Sequence, residues 1–419
     1  MHHKKVTLQR RMKQFNVPIS YRSPLISRIK EKRRKDDKLK KDFSPTLLQI
    51  GRLRIFLARH FGFCYGVENA IEIAFRTIEE NTGKRIFLLS EMIHNQLVNK
   101  DLLDRGVKFL MDTKGNQLIP FESLAKDDIV IVPAFGTTIE IEQKLSGMGI
   151  QTKKYNTTCP FVEKVWNRAE AIASNNYSII IHGKPSHEET RATFSHSAFN
   201  SPTIIVNDMK ETIELGKYIL GEKPPEDFYN EFTGQYSPGF DINHDLERIG
   251  VVNQTTMLAS DTEAISEYLK KIMLFKYASE DNIENHFADT RDTLCYATYD
   301  NQAAVSGMLD TKADLAIVVG GYNSSNTSHL VELCEEKLPT YFINGPDKIF
   351  SKGRIIYFDF RKKVEIETDH FIPSTGPVSI LITSGASCPD SMVEEIINRL
   401  CETCNVGEHF REMKNVYPD

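Results

Sequence analysis

The sequence predicts an α/β fold in which parallel strands alternate with covering helices. From Leu53 onward one unit recurs: an apolar run, a short loop rich in Gly, Ser, Thr or Pro, and an amphipathic helical pattern. The apolar run is clearest at residues 129–132, 178–181, 316–319 and 379–382. Repeated strand–loop–helix units form parallel sheets with helices outside. The chain has no short-period repeat, which excludes a solenoid.

Length and composition indicate an intracellular protein with more than one structural unit. The 419 residues are 40% hydrophobic and 26% charged, which is enough for a substantial core. No apolar run is long enough for a transmembrane helix, and the N-terminus lacks the apolar stretch of a secretory signal. The seven cysteines are scattered and odd in number. This pattern favours reduced thiols over a disulfide framework.

The N-terminal 50 residues differ in charge from the rest of the chain. They contain 15 Lys and Arg against 4 Asp and Glu, whereas the whole chain has a net charge of -5. The basic cluster at residues 30–35 is compatible with nucleic-acid or membrane binding, or with an organellar transit peptide. Serine is sparse, however, so we expect residues 1–50 to form a disordered basic tail without a nucleic-acid partner.

Three cysteines share one local setting. Cys64 lies between two glycines where an apolar strand gives way to a helical pattern, and Cys159 and Cys295 each precede a helical segment. Amide groups at a helix N-terminus stabilise a thiolate as nucleophile or metal ligand. No standard spacing connects the three residues, and core filling remains the alternative for each. Three thiolates from three α/β units could nevertheless meet and hold an iron–sulfur cluster.

The other cysteines carry weaker signals. Cys401 and Cys404 form the single C-x-x-C of the sequence, but no strand precedes them, so we interpret them as surface or structural thiols. Cys334 falls on the apolar face of a helix and is expected in the core. Cys388 follows Ser387 in a loop and could lie near a site without acting in it.

Polar side chains cluster after several strands, at the edge where open α/β sheets bind ligands. Ser324, Ser325 and Asn326 follow two glycines and open a helix, and Ser387 has a similar setting after the last strand. Such loops offer backbone and side-chain donors to an anion, although ordinary N-capping also explains them. Neither a P-loop nor a dinucleotide-binding motif is present.

Two histidines and an acid follow other strands. His187 could supply a cation for phosphate and Glu189 an acid for proton transfer. His94 follows another strand, and Thr255 adds a hydroxyl at a further strand end. Each histidine alone is more typical of a hydrogen-bonded structural residue.

Taken together, these motifs resemble the 4-hydroxy-3-methylbut-2-enyl diphosphate reductases, the LytB/IspH family of the non-mevalonate isoprenoid pathway. Eight stretches match in the family's order: residues 62–67, 93–95, 158–160, 187–189, 254–256, 295–298, 323–326 and 384–387. The resemblance extends from about Leu53 to about Arg399. It leaves out the basic N-terminus and the residues beyond 400.

The resemblance implies a trefoil of three α/β units around one 4Fe-4S cluster, with Cys64, Cys159 and Cys295 as ligands and one iron open. The expected organisation is a tail over 1–50, a first unit over 51–157, a second over 158–290 with a surface insert at 221–248, a third over 291–400 and a polar tail over 401–419. The implied substrate-binding residues are His94, His187, Ser324, Ser325, Asn326 and Ser387.

The family's reaction is a two-electron reductive dehydroxylation of the allylic diphosphate to isopentenyl and dimethylallyl diphosphate. Glu189, relayed through Thr255, would deliver protons. A ferredoxin or flavodoxin is the implied electron donor, in a bacterial cytoplasm or alternatively a plastid stroma. A cluster-dependent dehydratase and a cluster-bearing sensor with a nucleic-acid-binding tail are the competing functions, and the acid and anion loops argue against the sensor.

One position departs from the pattern of many bacterial members. They have a second histidine for the diphosphate where this chain has Phe135, in a Pro-Ala-Phe-Gly loop similar to that of the plant and cyanobacterial branch. Phe135 is therefore given no ligand role. Lys184 or Arg191 could replace the missing donor.

Overall fold

A computed structural model describes residues 15–39, 41–277, 283–288 and 293–416. Within these ranges the strands are β1 Thr46–Ile50, β2 Leu53–Leu57, β3 Ile86–Leu88, β4 Lys108–Phe109, β5 Ile129–Ile131, β6 Ser178–His182, β7 Thr203–Val206, β8 Ile249–Asn253, β9 Leu315–Val319, β10 Thr340–Ile343, β11 Ile349–Phe350, β12 Arg354–Asp359, β13 Val364–Thr368 and β14 Val378–Ser384.

The α-helices in the described part of the chain alternate with these strands. They are α1 Pro24–Asp36, α2 Tyr65–Glu80, α3 Gln96–Asp104, α4 Ile139–Gly147, α5 Pro160–Ala173, α6 Glu188–Ala198, α7 Met209–Ile219, α8 Pro225–Glu231, α9 Ala259–Lys276, α10 Tyr296–Met308, α11 Ser325–Glu335, α12 Asp390–Thr403 and α13 Gly407–Val416.

Three sheets with parallel strands carry the architecture. The largest has the order β1-β2-β14-β9-β10, in which only β1 runs antiparallel to its neighbour. The other two, β4-β3-β5 and β7-β6-β8, are wholly parallel. A small antiparallel sheet, β11-β12-β13, lies beside the first. The predicted α/β class with three parallel-sheet units is confirmed.

Strand composition explains why these sheets lie inside the molecule. Every residue of β6, β8, β9 and β14 is buried, as expected for parallel strands covered by helices on both faces. Amphipathic helices such as α2 supply the cover, burying Val67, Ala70, Ile71 and Ala74 at helical spacing.

The predicted boundary of the first unit is wrong at its start. β2 belongs to predicted residues 51–157, yet it pairs with β14 near the other end of the chain, with Ile55 opposite Ile380 and Leu57 opposite Ile382. The sheet of the third unit is thus completed by the strand that leads into Cys64. Pairing between strands so far apart leaves no local trace in the sequence, because β2 would fit beside any of the apolar strands of the chain.

The predicted disordered tail is also wrong where the structure describes it. α1 buries Leu25, Ile26 and Ile29 on one face while its charges stay outside, and β1 pairs with β2. Because α1 contains few apolar residues among many Lys and Arg, its overall composition did not indicate an amphipathic helix. Residues 1–14 of the predicted tail lie outside the described ranges.

Two segments predicted to be peripheral contribute to the core. In the insert at 221–248, Phe228, Phe232 and Phe240 are buried in one aromatic cluster. In the predicted polar tail, Cys401, Cys404, Val406 and Phe410 are buried beneath the largest sheet, so the C-x-x-C thiols are structural. Cys334 is buried in the same core, as predicted.

Among the described residues, none of the helices combines the length and apolar character that crossing a membrane requires.

Candidate active site

Three cysteines begin three helices whose N-termini meet at one cavity. Cys64, Cys159 and Cys295 are the N-cap residues of α2, α5 and α10, and none of them caps its helix through the side chain. All three line the cavity and are free thiols. The structure therefore brings together the three cysteines that the sequence singled out as ligands.

Gly66 allows two of these helices to approach each other. A Cβ atom built on Gly66 would overlap the Cys159 Sγ atom. A side chain at this position would push Cys159 away from the first turn of α2. Glycine is therefore required here by close approach rather than by an unusual backbone angle.

The protein environment raises the pKa of all three thiols. Burial is the main cause, and it raises the pKa of Cys295 to about 12. A negative charge on Cys64 raises the pKa of Cys159 and Cys295 further, so these thiols lie within electrostatic reach of one another. Thiolates gathered in such a setting require a bound cationic group to stabilise them.

The donor set fits an iron–sulfur cluster better than a single ion. Iron–sulfur clusters are held by cysteine thiolates, and the cavity presents three of them from three helices. The three thiols border one cavity, so one group bound there could be held by all three.

The cavity encloses a volume of about 80 Å³. Apolar and polar groups both line it. Besides the cysteines, its polar lining residues are His94, Glu189, Thr255, Thr256, Thr298, Ser324, Ser325, Asn326 and Ser387. Residues predicted from separate strand ends thus share one site.

Glu189 is a buried acid in this cavity. Its two carboxylate oxygens accept hydrogen bonds from the Thr255 backbone N–H at 2.5 Å and from the Thr255 hydroxyl at 2.9 Å. These bonds favour the charged form, but burial outweighs them and raises the pKa of Glu189 to about 7. The side chain can therefore hold or release a proton near neutral pH.

His187 packs against the lining residues His94 and Phe135, and one of its ring nitrogens already accepts a hydrogen bond. Its Nδ1 atom accepts a hydrogen bond from the Glu189 backbone N–H at 3.1 Å. Burial lowers the pKa of His187 well below its usual range, so the neutral ring carries its proton on Nε2. Within the described structure this Nε2 atom is buried without a hydrogen-bond partner. A buried donor in this state indicates a missing acceptor.

His94 is held between an aromatic ring and a carboxylate. Its ring stacks on Phe135 with centroids 4.3 Å apart and meets His187 edge-on at 5.1 Å. Its Nε2 atom lies 2.9 Å from a carboxylate oxygen of Glu188. Phe135 therefore fills the position of the missing histidine as a packing partner for both histidine rings.

The start of α11 lines one side of the cavity. Ser324 is the N-cap, and its hydroxyl accepts a hydrogen bond from the Thr327 backbone N–H at 3.2 Å. Asn326 accepts a bond from the Ala386 backbone N–H at 3.0 Å, which ties α11 to the loop that carries Ser387. Backbone N–H groups and the helix dipole at this end favour a bound anion.

Some features of the site were not visible in the sequence. The sequence assigned no role to Thr256 and Thr298, which line the cavity, or to Glu188, which contacts His94. Lys184 and Arg191, suggested as replacement donors, do not line the cavity, and the Arg191 guanidinium donates to backbone carbonyls of Ser186 and Thr113.

Comparison with known proteins decides the family. The family model described as LytB protein matches residues 55–401. The chain belongs to the LytB family.

Curated members of the LytB family cover most of the chain. It is 38% identical over 382 residues to the 4-hydroxy-3-methylbut-2-enyl diphosphate reductase of a Cyanothece species, covering 91% of this chain and 89% of the relative. A Synechococcus protein of the same name is 41% identical over 354 residues, covering 84% of this chain and 86% of the relative.

Solved structures share the LytB fold at lower identity. The reductase of Plasmodium falciparum matches with a TM-score of 0.60 and 23% identity over 83% of this chain and 87% of that one. A structure described as the terminal enzyme of the non-mevalonate pathway matches with a TM-score of 0.50 and 22% identity over 83% and 99%. These likenesses concern the fold and agree with the predicted trefoil of α/β units.

Proposed function

We propose that this chain is a 4-hydroxy-3-methylbut-2-enyl diphosphate reductase that works with one 4Fe-4S cluster. The observation that carries the proposal is the convergence of three free cysteines, the Glu189–Thr255 pair and the α11 N-terminus on one cavity. The names of the LytB relatives support the activity. Cys64, Cys159 and Cys295 are the proposed ligands.

The reaction consumes two electrons and two protons for each substrate. The C–O bond of the allylic alcohol breaks, and the hydroxyl leaves as water after taking one proton. The carbon skeleton receives the electron pair and then a second proton, which gives isopentenyl or dimethylallyl diphosphate. Hydroxide is a poor leaving group, so the protein must place an acid beside it.

When bound, the cluster supplies the electrons and an iron with an open position that acts as a Lewis acid. The protein supplies the three thiolates that hold it and the walls that exclude water. Val67, Ala134 and Val162 are apolar residues of those walls.

Glu189 and Thr255 form the proposed proton path. The pKa of Glu189 at about 7 leaves a large protonated fraction at neutral pH. The Thr255 hydroxyl, 2.9 Å from the carboxylate, can pass a proton between the carboxyl group and a substrate in the cavity. Since a proton donor works best with a pKa near the working pH, this burial is functionally useful.

The diphosphate is assigned to the α11 end of the cavity. Ser324, Ser325, Asn326 and Ser387 offer small polar side chains there, beside the backbone N–H groups of the helix start. His187 adds its unpartnered Nε2–H donor, and His94 approaches from the same side. Binding the diphosphate firmly lets the protein orient the distant reacting carbon.

A ferredoxin or flavodoxin is the proposed electron donor. The proposed compartment is a bacterial cytoplasm, with a plastid stroma as the alternative. The cyanobacterial origin of the relatives named above suits both settings, since each contains small electron-transfer proteins of this class.

Anaerobic purification tests the cluster. We expect a brown protein with four iron and four sulfide per chain, estimated from the cluster type, and Cys159→Ser should lose most of both. A matched control is Cys334→Ser, since Cys334 is buried away from the cavity and should leave iron content unchanged. A colourless wild-type protein without iron would refute the proposal.

A further inference from the structure

Glu188 is a buried carboxylate to which the proposed function gives no role. It is the first residue of α6 and is 8% exposed. One carboxylate oxygen lies 2.9 Å from the His94 Nε2 atom, and the other accepts a hydrogen bond from the Ser90 hydroxyl at 2.5 Å. A carboxylate with both oxygens bonded in this way has a fixed orientation toward the His94 ring.

This contact decides what the His94 ring can offer a ligand. Because the carboxylate accepts, Nε2 must donate, which leaves Nδ1 as the remaining ring nitrogen. In a neutral ring Nδ1 would then be an acceptor and would repel a phosphate oxygen. In a protonated ring Nδ1 carries a hydrogen and donates a charge-assisted bond. The Glu188 carboxylate, at hydrogen-bond distance, would stabilise such a charge-assisted contact.

Phe135 fixes the plane of the same ring. The two rings stack at 4.3 Å with an angle of 30° between them. Phenylalanine has no hydrogen-bond donor, so positive charge on this side of the cavity has to come from His94. An aromatic face also attracts a cation, which adds to the effect of the carboxylate.

The other titratable groups around His94 do not oppose this charge. Glu91 and Glu189 are acids within electrostatic reach of it. His187 meets it edge-on, but burial lowers the pKa of His187 and keeps that ring neutral. The groups facing His94 are carboxyl groups and one uncharged ring, and the Arg191 cation lies within electrostatic reach of Glu188 and His187.

We propose that Glu188 is a positioning residue: its carboxylate holds the His94 ring through Nε2 and stabilises positive charge on that ring where it meets the diphosphate of the substrate. The assignment rests on the proposed function for the identity of the ligand. It explains how a site with Phe135 in place of a second histidine still presents a positive charge to a diphosphate.

Glu188→Gln tests the proposal in the anaerobic holoenzyme, since it keeps the size of the side chain and removes its charge. We expect KM for 4-hydroxy-3-methylbut-2-enyl diphosphate to rise by about tenfold or more, the effect of losing a charged hydrogen bond. The dissociation constant of inorganic pyrophosphate should rise by a similar factor, while kcat changes much less. Glu188→Asp should restore part of the affinity.

Glu140→Gln is the matched control. Glu140 lies on α4 and accepts a hydrogen bond of 2.9 Å from Ser195, which is on α6, the helix that begins with Glu188. Glu140 does not line the cavity. It should leave KM and pyrophosphate affinity unchanged. An unchanged KM and pyrophosphate affinity in Glu188→Gln with full cluster content would overturn the proposal, as would a loss of kcat alone.

Measurements on the wild-type protein separate this proposal from the proposed function. Failure of the wild type to reduce the substrate would refute the proposed function, whereas the pyrophosphate measurement would still decide the role of Glu188.

Discussion

Single residues set the proton chemistry of the cavity, and Glu189 is the clearest case. Its carboxyl group is 1% exposed and accepts two bonds from Thr255. Burial raises its pKa to about 7 against the lowering effect of those bonds. The active form of Glu189 is the protonated acid. Because its pKa is raised, this form persists up to about neutral pH and is lost at higher pH.

Glu189→Gln should therefore lower kcat by about 10²–10⁴-fold, the usual contribution of a positioned acid. In the wild type, kcat should fall as the pH rises above about 7, where Glu189 loses its proton. This alkaline decline should disappear from the residual activity of the variant. Steady-state rates across pH with a chemical reductant would measure both effects, and an unchanged kcat would exclude Glu189 as the acid.

Gly66 makes a second prediction about a single position. Gly66→Ala places a methyl group against the Cys159 Sγ atom, so the first turn of α2 or Cys159 must move. We expect lower iron content and a less stable protein. Gly147→Ala is the control, because a Cβ on Gly147 at the end of α4 meets nothing within 4 Å. Equal iron content in the two variants would contradict the close approach described here.

Among the elements, α1 and the segment before it support the Cys64 loop. Phe15 contacts the ring of Tyr65 and Tyr21 contacts that of Phe63, both edge-on. On the other side of the loop, Lys30 donates to the Phe61 backbone carbonyl at 2.8 Å. Residues on both sides of Cys64 are thus held by the basic N-terminal segment.

Lys30→Ala should loosen this loop. Lys30 also forms an ion pair of 2.6 Å with Asp390, and its side chain is 31% exposed, so screening by water limits the loss to about 1 kcal/mol. We expect a lower free energy of unfolding and faster bleaching of the cluster in air. Lys35→Ala serves for comparison, since Lys35 is 72% exposed and forms its ion pair with Glu31 of the same helix. Identical bleaching rates would contradict the role of α1.

In the whole molecule, local patterns predicted the site better than they predicted the connections between units. Cys64, Cys159 and Cys295 stood out because each directly precedes a helical pattern, a signal contained within about ten residues. The anion loop at Ser324 had the same kind of local signature. That this loop and the cysteines lie at one site was expected, because ligands bind beyond the carboxyl ends of parallel strands.

Features that depend on distant contacts were missed. The pairing of β2 with β14 joins segments separated by most of the chain, and neither strand encodes its partner. The packing of α1 rests on three apolar residues within a basic sequence. Glu188 gains its meaning only from the position of His94 in the folded chain.

The central claim is that this cavity carries out a two-electron reductive dehydroxylation, and product analysis tests it most directly. Anaerobic holoenzyme with a chemical reductant should convert the allylic diphosphate to isopentenyl and dimethylallyl diphosphate. Two electrons should be consumed for each molecule converted. A dehydrated product formed without electron consumption, or no product from protein with full cluster content, would contradict the account.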